Sequence, residues 1–138
     1  MLVHGIGERA QQQGLDPAQA LERLFDYVGD SPLVAFHAAF DRGFVQREVK
    51  RCGRARAVLD WVDVAELARV VHPDVKAQAL DDWLARFDLT VTARHDACAD
   101  ALVTAMLFVR LMSALPTGQR NLASVKRLCD QARWLPRA

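Results

Sequence analysis

Residues 31–51 of the chain read SPLVAFHAAFDRGFVQREVKR. The apolar run LVAFH at 33–37 follows a break made of glycine, aspartate, serine and proline. A short apolar run bounded by turn-forming residues is typical of a buried β-strand. A helix should follow at once, over about 42–51. A strand succeeded directly by a helix indicates an α/β architecture.

The segment before this strand predicts a helix. Asp16 offers an N-cap carboxylate, Pro17 stands at the first helical position and Gln19 lies three residues after the cap. Apolar residues then recur at helical spacing, namely Leu21, Leu24, Phe25 and Val28. We expect this helix to end at Gly29.

Further elements follow downstream. The run RAVLDWV at 56–62 predicts a second strand, and Asp63 and Glu66 have the spacing of a capping box that opens a short helix ending at His72. Amphipathic turns are expected at 80–87, a long helix at 96–114 and a last helix near 122–133. The long helix is predicted to carry on one face Ala101, Thr104, Ala105, Phe108, Leu111 and Met112. The fold class is therefore α/β, with helices covering a central sheet.

The chain has 138 residues, of which 51% are hydrophobic and 25% charged. These values exclude intrinsic disorder and fit one domain over 1–138, in which 118–138 form a C-terminal helix and tail. No apolar run approaches the roughly 18 residues of a membrane span and no signal peptide is evident, so we expect a cytoplasmic chain with no membrane partner. The net charge of +1 means that any nucleic acid must be bound locally.

Two strands are few for a sheet that carries five helices, since an average sheet has about five to six. We therefore expect the domain to be incomplete at its N-terminus. The three cysteines, Cys52, Cys98 and Cys129, form no CxxC pair, which disfavours both a disulfide framework and a zinc site. They are expected to be reduced and at least half-buried.

Asp41 follows the predicted 33–37 strand, and the ends of strands are where α/β proteins gather ligands and catalytic groups. Asp41 could instead be a helix N-cap, with Phe40 and Val45 packing on either side of it as a hydrophobic staple; taken alone, capping preferences favour this alternative. His37 could be either a core histidine or a neighbour of a site.

A second candidate segment is HDACADA at 95–101. Asp96 is the better N-cap, which leaves Asp100 without a local structural role on an alanine-lined face, where a carboxylate needs a partner such as a divalent cation. His95 has the pKa suited to accept a proton from water at neutral pH. The basic residues of 47–56 could contact phosphates, although a solvated helix face is the commoner reading: Arg47, Lys50, Arg51, Arg54 and Arg56.

The segment FHAAFD at 36–41, followed by Gly43 and Phe44, resembles the second motif of DnaQ-like 3′-5′ exonucleases, and HDACADA at 95–101 resembles their third motif. The resemblance implies a ribonuclease H-like fold, a mixed sheet flanked by helices that here lacks its N-terminal part. It also implies that Asp41 and Asp100 bind two Mg²⁺ or Mn²⁺ ions and that His95 is the general base. His37 and Phe40 would then contact the substrate, the 3′ end of single-stranded DNA or RNA.

The chain departs from the family pattern at two places. Phe36 and His37 replace the usual His-Asn, and no Asp-x-Glu motif, which supplies the other two metal ligands in the family, occurs upstream of Asp41. We therefore expect weak or no hydrolysis by this chain alone. The alternative is a non-catalytic module that binds nucleic acid or docks on a polymerase, and the candidate protein partners are a DNA polymerase and a second copy of the chain.

Overall fold

A computed structural model of the chain describes residues 7, 12–53, 59–90 and 96–135. The described elements in chain order are α1 Pro17–Val28, β1 Leu33–Ala35, α2 Ala38–Arg51, β2 Trp61–Asp63, α3 Val64–Val71, α4 Leu80–Arg86, α5 Ala97–Ala114 and α6 Leu122–Gln131. Short 3₁₀ turns at Thr117–Gln119 and Ala132–Trp134 lie on either side of α6. The α/β class predicted from the sequence is confirmed.

Within the described residues the sheet has two strands, and they are parallel. Leu33 pairs with Trp61, Val34 with Val62 and Ala35 with Asp63. Because the strands are parallel and in this register, their carboxyl ends lie side by side at one edge. Helix α2 is the crossover between them and contacts both. All three residues of β1 are only half-buried, whereas Val62 at the centre of β2 is buried.

The helices contact the strands in two groups. Helices α1 and α2 pack against each other, while α3 packs against α5 and α6, of which α5 contacts β1 and α6 contacts β2. The main hydrophobic core belongs to the second group, because its largest fully buried side chains include Trp83, Leu67, Leu107 and Leu111. Val62 of β2 and Val64 of α3 belong to this core, and Val34 and Phe36 pack against it.

Several sequence predictions are confirmed and others are wrong in detail. Helix α1 begins after the Asp16 cap and ends at Gly29, whose φ of +51° favours glycine. Helix α2, by contrast, begins at Ala38 and not near residue 42. The predicted face of α5 is confirmed in part: Thr104 and Leu111 are buried and Phe108 and Met112 pack against the core, whereas Ala101 and Ala105 are exposed. Val103 and Leu107 are buried as well. The predicted first strand residues 36–37 lie outside β1, and residues 56–58 of the second lie outside the described ranges.

Helix α5 corrects one further expectation. By length and hydropathy it is apolar enough to cross a membrane, with a mean hydropathy of 1.6 over its 18 residues. The core helix of a globular protein meets the same criterion. In α5 22% of these residues are buried, among them Val103, Leu107 and Leu111 on the side that packs against α3, α4 and β1. Leu102, Met106 and Val109 are exposed.

Candidate functional site

The carboxyl ends of β1 and β2 bring three predicted or newly apparent polar residues together. His37 and Asp41 follow β1, and Asp63 is the last residue of β2. The carboxyl edge of a parallel sheet is where α/β proteins place ligands, because the connecting loops there leave a crevice. This arrangement defines the candidate site, which we call the strand-end site.

Asp63 links the two helices that begin at the strand-end site. Its Oδ1 accepts hydrogen bonds from the backbone N–H groups of Ala65 at 3.0 Å and Glu66 at 3.4 Å, which caps α3. The same oxygen accepts a third bond, at 3.2 Å, from the backbone N–H of His37. The first two bonds are the expected consequence of a capping sequence at 63–66. The third joins segments 26 residues apart, and it fixes the start of α2 next to the start of α3.

His37 is the N-cap residue of α2 and has a left-handed backbone, with φ 60° and ψ 50°. Histidine, asparagine and aspartate occupy this region more readily than other non-glycine residues. The replacement of the usual asparagine by His37 therefore preserves what the backbone requires. The His37 ring packs edge-on against Phe36, with centroids 4.5 Å apart, and borders an open cavity of about 620 Å³ beside α3.

Asp41 lies in the first turn of α2 and is not its N-cap, so the capping alternative is wrong. The carboxyl group is exposed at the surface, but neighbouring chain displaces part of its water, and this desolvation raises its pKa. Its own backbone N–H acts in the opposite direction, and the negative charge of Asp63 raises the pKa further. Two carboxylates therefore repel each other at this edge. No basic side chain pairs with Asp41 among the residues the structure describes.

Phe40 stands beside Asp41 and is 78% exposed. The residue directly precedes Asp41 in α2, and its ring is open to a ligand that approaches the strand-end site. The Phe40 ring is therefore accessible for its predicted role as a substrate contact.

Asp100 occupies the fourth position of α5, the same position that Asp41 occupies in α2. As predicted, Asp96 is the cap: its Oδ1 accepts from the N–H groups of Cys98 and Ala99, both at 3.0 Å. Asp100 is half-buried and its helix contacts β1. His95, the predicted general base, lies outside the described residues, as do Arg54 and Arg56.

The carboxylate oxygens of Asp41 and Asp100 are the type of donor that Mg²⁺ and Mn²⁺ prefer. Among the described residues, however, no three His, Cys, Asp or Glu side chains come together as a metal site. The donor chemistry fits the predicted ions, and a complete two-ion site needs ligands beyond those of the described ranges.

A family model described as Exonuclease, RNase_T, matches residues 1–108 of the chain. The chain belongs to this exonuclease family. The DnaQ-like resemblance read from 36–41 and 95–101 is thereby confirmed, with both segments inside the matched range.

Relatives of this exonuclease-family chain include PolC-type DNA polymerases III. That of Listeria monocytogenes is 35% identical over 101 residues, which is 72% of this chain and 7% of the relative. That of Halalkalibacterium halodurans is 32% identical over 94 residues, which is 68% of this chain and 7% of the relative. That of Bacillus subtilis is 29% identical over 109 residues, which is 78% of this chain and 8% of the relative. The chain thus spans less than a tenth of the length of these relatives.

Sequence reasoning treated Asp63 only as a helix cap in this exonuclease-family chain, and missed its place in the strand-end site. The available signal was its position at the end of the second predicted strand. Because the carboxyl ends of parallel strands meet at one edge, a polar residue there is a candidate for the same site as Asp41.

Proposed function

We propose that this chain acts as the exonuclease part of a 3′-5′ nuclease that hydrolyses the terminal phosphodiester bond of single-stranded DNA or RNA, in the context of DNA replication. The proposed fold is ribonuclease H-like, and the proposed location is cytoplasmic. The PolC-type relatives support a polymerase as the larger context. Family membership supports the reaction class.

The observation that supports this function best is the unneutralised carboxylate pair at the strand-end site. Asp41 is raised in pKa by desolvation and by the charge of Asp63, and no described cation offsets it. Bringing like charges together costs free energy, and such costs occur where a protein prepares a site for a cation. In the proposal Asp41 and Asp100 bind divalent ions, which when bound stabilise the charge that develops on the phosphate oxygens.

The remaining roles belong to side chains around these acids. The exposed ring of Phe40 stacks on the terminal base and so orients the scissile bond toward Asp41. His37 contacts the same nucleotide from the left-handed turn after β1. His95 takes the proton of the attacking water through a ring nitrogen, which a neutral imidazole can do at neutral pH.

Hydrolysis by the chain alone is expected to be slow. Asp41 and Asp100 supply two negative charges for two ions that carry four positive ones, and the described residues include no group of three ligands. The alternative function, binding of nucleic acid or docking on a polymerase without cleavage, is favoured by the same observation. One assay separates the two.

The assay follows shortening of a 5′-fluorescein oligonucleotide in the presence of Mn²⁺ or Mg²⁺. We expect slow, stepwise loss of 3′ nucleotides that Asp41→Asn and Asp100→Asn both abolish. Asp26→Asn, an exposed acid on α1, is the matched control and should leave the rate unchanged. Shortening that persists in both site variants would contradict the proposed function, and binding without shortening by the wild type would favour the alternative.

A further inference from the structure

Helix α2 carries a stripe of exposed aromatic and basic side chains that leads away from the strand-end site. Phe40 is 78% and Phe44 55% exposed, and Arg47 and Arg51 are also exposed. Residues spaced by three and four lie on one face of a helix, so Phe40, Phe44, Arg47 and Arg51 form a single row. We call this row the α2 stripe. It is about 17 Å long, since a helix rises about 1.5 Å per residue.

The charge of α2 is complementary to a polyanion. The helix contains four basic and two acidic residues. Arg51 is paired with Glu48 at 2.8 Å, whereas Arg47 and Lys50 form no ion pair within the part of the chain that the structure describes. Unpaired arginine and lysine on an exposed face are available to phosphates without first breaking a protein contact.

The surface around the stripe is sterically open. A Cβ built at Gly43, which lies between Phe40 and Arg47 on this face, would meet no atom of the described residues outside its own helix backbone within 4 Å. Single-stranded nucleic acids bind by stacking their bases on exposed aromatic rings beside a positively charged track, and this combination tolerates any sequence. The α2 stripe provides both components in the order aromatic, aromatic, basic.

We propose that the single strand continues from the strand-end site along the α2 stripe, with a base stacked on Phe44 and the next phosphates bound by Arg47 and by Lys50, which lies beside the stripe. This inference rests on the proposed function only in placing the 3′ end near Asp41. The α2 stripe then holds the nucleotides on the 5′ side of the scissile bond. Substrate length, and not only its terminal nucleotide, determines how tightly the strand is bound.

The test measures binding by fluorescence anisotropy with EDTA present, so that hydrolysis plays no part. The probes are an oligothymidylate and an oligouridylate of about eight nucleotides, within the usual site size of such proteins. We expect the longer oligomer to bind more tightly than a dinucleotide. Phe44→Ala should reduce the affinity for the longer oligomer about 5- to 100-fold, whereas Phe44→Tyr keeps a stacking ring and should bind it as tightly as the wild type.

Arg47→Gln should reduce the slope of log K against log salt by about 0.7, because one phosphate contact is lost. The matched control is Arg110→Gln, at an exposed arginine of α5 that forms no ion pair with a described residue; it should leave the slope unchanged. Circular dichroism checks that each variant is folded, and the exposure of Phe44 and Arg47 makes a folding defect small. A loss of affinity or of salt slope with either oligonucleotide supports the proposal. The oligonucleotide that binds more tightly shows whether the α2 stripe prefers deoxyribose or ribose.

Three results would overturn this inference. One is the absence of oligonucleotide binding by the wild-type chain at low salt. Another is a dissociation constant and salt slope that neither Phe44→Ala nor Arg47→Gln changes. The third is a shift from dimer to monomer in Phe44→Ala without any loss of oligonucleotide affinity, which would make the stripe a protein interface. Cleavage that depends on Asp41 but not on Phe44 would retain the proposed function and remove only this extension.

Discussion

The backbone N–H of His37 donates a hydrogen bond of 3.2 Å to Oδ1 of Asp63, and this bond joins the turn after β1 to the cap after β2. The same oxygen also accepts from two N–H groups of α3. One carboxylate oxygen therefore sets the spacing between the starts of two helices. The geometry of the strand-end site depends on it, because Asp41 follows four residues after His37.

Removing the Asp63 side chain should destabilise the fold. Asp63→Ala leaves the first N–H groups of α3 and that of His37 without their acceptor, and we expect a loss of about 1–2 kcal/mol in the free energy of unfolding. Asp63→Asn keeps an oxygen acceptor and should remain within about 0.5 kcal/mol of the wild type. Urea unfolding measures both. Equal losses in the two variants would show that the charge, and not the capping oxygen, provides the stability.

Neutralising Asp41 should stabilise the protein at neutral pH. A carboxyl group whose pKa is raised on folding binds protons more tightly in the folded state. The stability of the fold therefore decreases as the pH rises from the pKa of the unfolded state through the pKa of the folded state. Asp41→Asn removes this decline. We expect its melting temperature to exceed that of the wild type near pH 7 and the difference to vanish near pH 3.

Thermal unfolding at both pH values, without divalent ions, tests the Asp41 prediction. Asp26→Asn, on the exposed face of α1, is again the control. A lower melting temperature for Asp41→Asn near neutral pH would contradict the cost of the charged Asp41 carboxylate, which arises from desolvation and from the charge of Asp63.

Gly43→Ala should stabilise helix α2. Gly43 lies in the helix interior, where glycine costs about 0.5–1 kcal/mol relative to alanine. Outside the helix's own backbone, an added Cβ would meet no described atom within 4 Å. We expect a gain of that size in the free energy of unfolding, measured by urea titration. A loss of stability would mean that the backbone at Gly43 is not helical in solution.

The three cysteines should differ in reactivity. Cys129 is half-buried, donates a hydrogen bond of 3.5 Å to the carbonyl oxygen of Asp63, and has a pKa raised by burial to about 11. The thiolate is the reactive form, so Cys129 should resist iodoacetamide near pH 7. Cys98 is exposed, contrary to the expectation from the sequence, and should be alkylated first.

Peptide mapping after a short iodoacetamide treatment identifies the order of modification. Addition of denaturant should make Cys129 react as readily as Cys98, because unfolding removes its burial. Early labelling of Cys129 in the native chain would disprove the burial of this α6 thiol against the end of β2.

Those parts of the fold that depend on local interactions were predictable from the sequence. The caps of α1, α3 and α5 use side chains within three residues of the N–H groups that they satisfy, and all three were predicted correctly. The start of α2 was not predictable in this way, because His37 caps it through a left-handed backbone and no side-chain bond. Asp63 joined the site only through a contact 26 residues away in sequence.

The buried face of α5 was predicted only in part, for a different reason. The helix is apolar almost all round, so its sequence contains no polar side that would mark which residues point inward. Packing against α3, α4 and β1 determines which residues are buried. It buries Thr104 and Leu111 of the predicted face, and Val103 and Leu107 in place of its two alanines. The roles of His95 and Asp100 remain predictions from the family motif.

Asp63 has one further consequence for any ion that reaches the strand-end site. All three of its backbone hydrogen bonds end on Oδ1, and no donor contacts Oδ2 among the described residues. Oδ2 is therefore available to bind a cation, while Oδ1 keeps its hydrogen bonds to the starts of both helices. The scaffold and the chemistry would then share a single side chain without competing for the same atom.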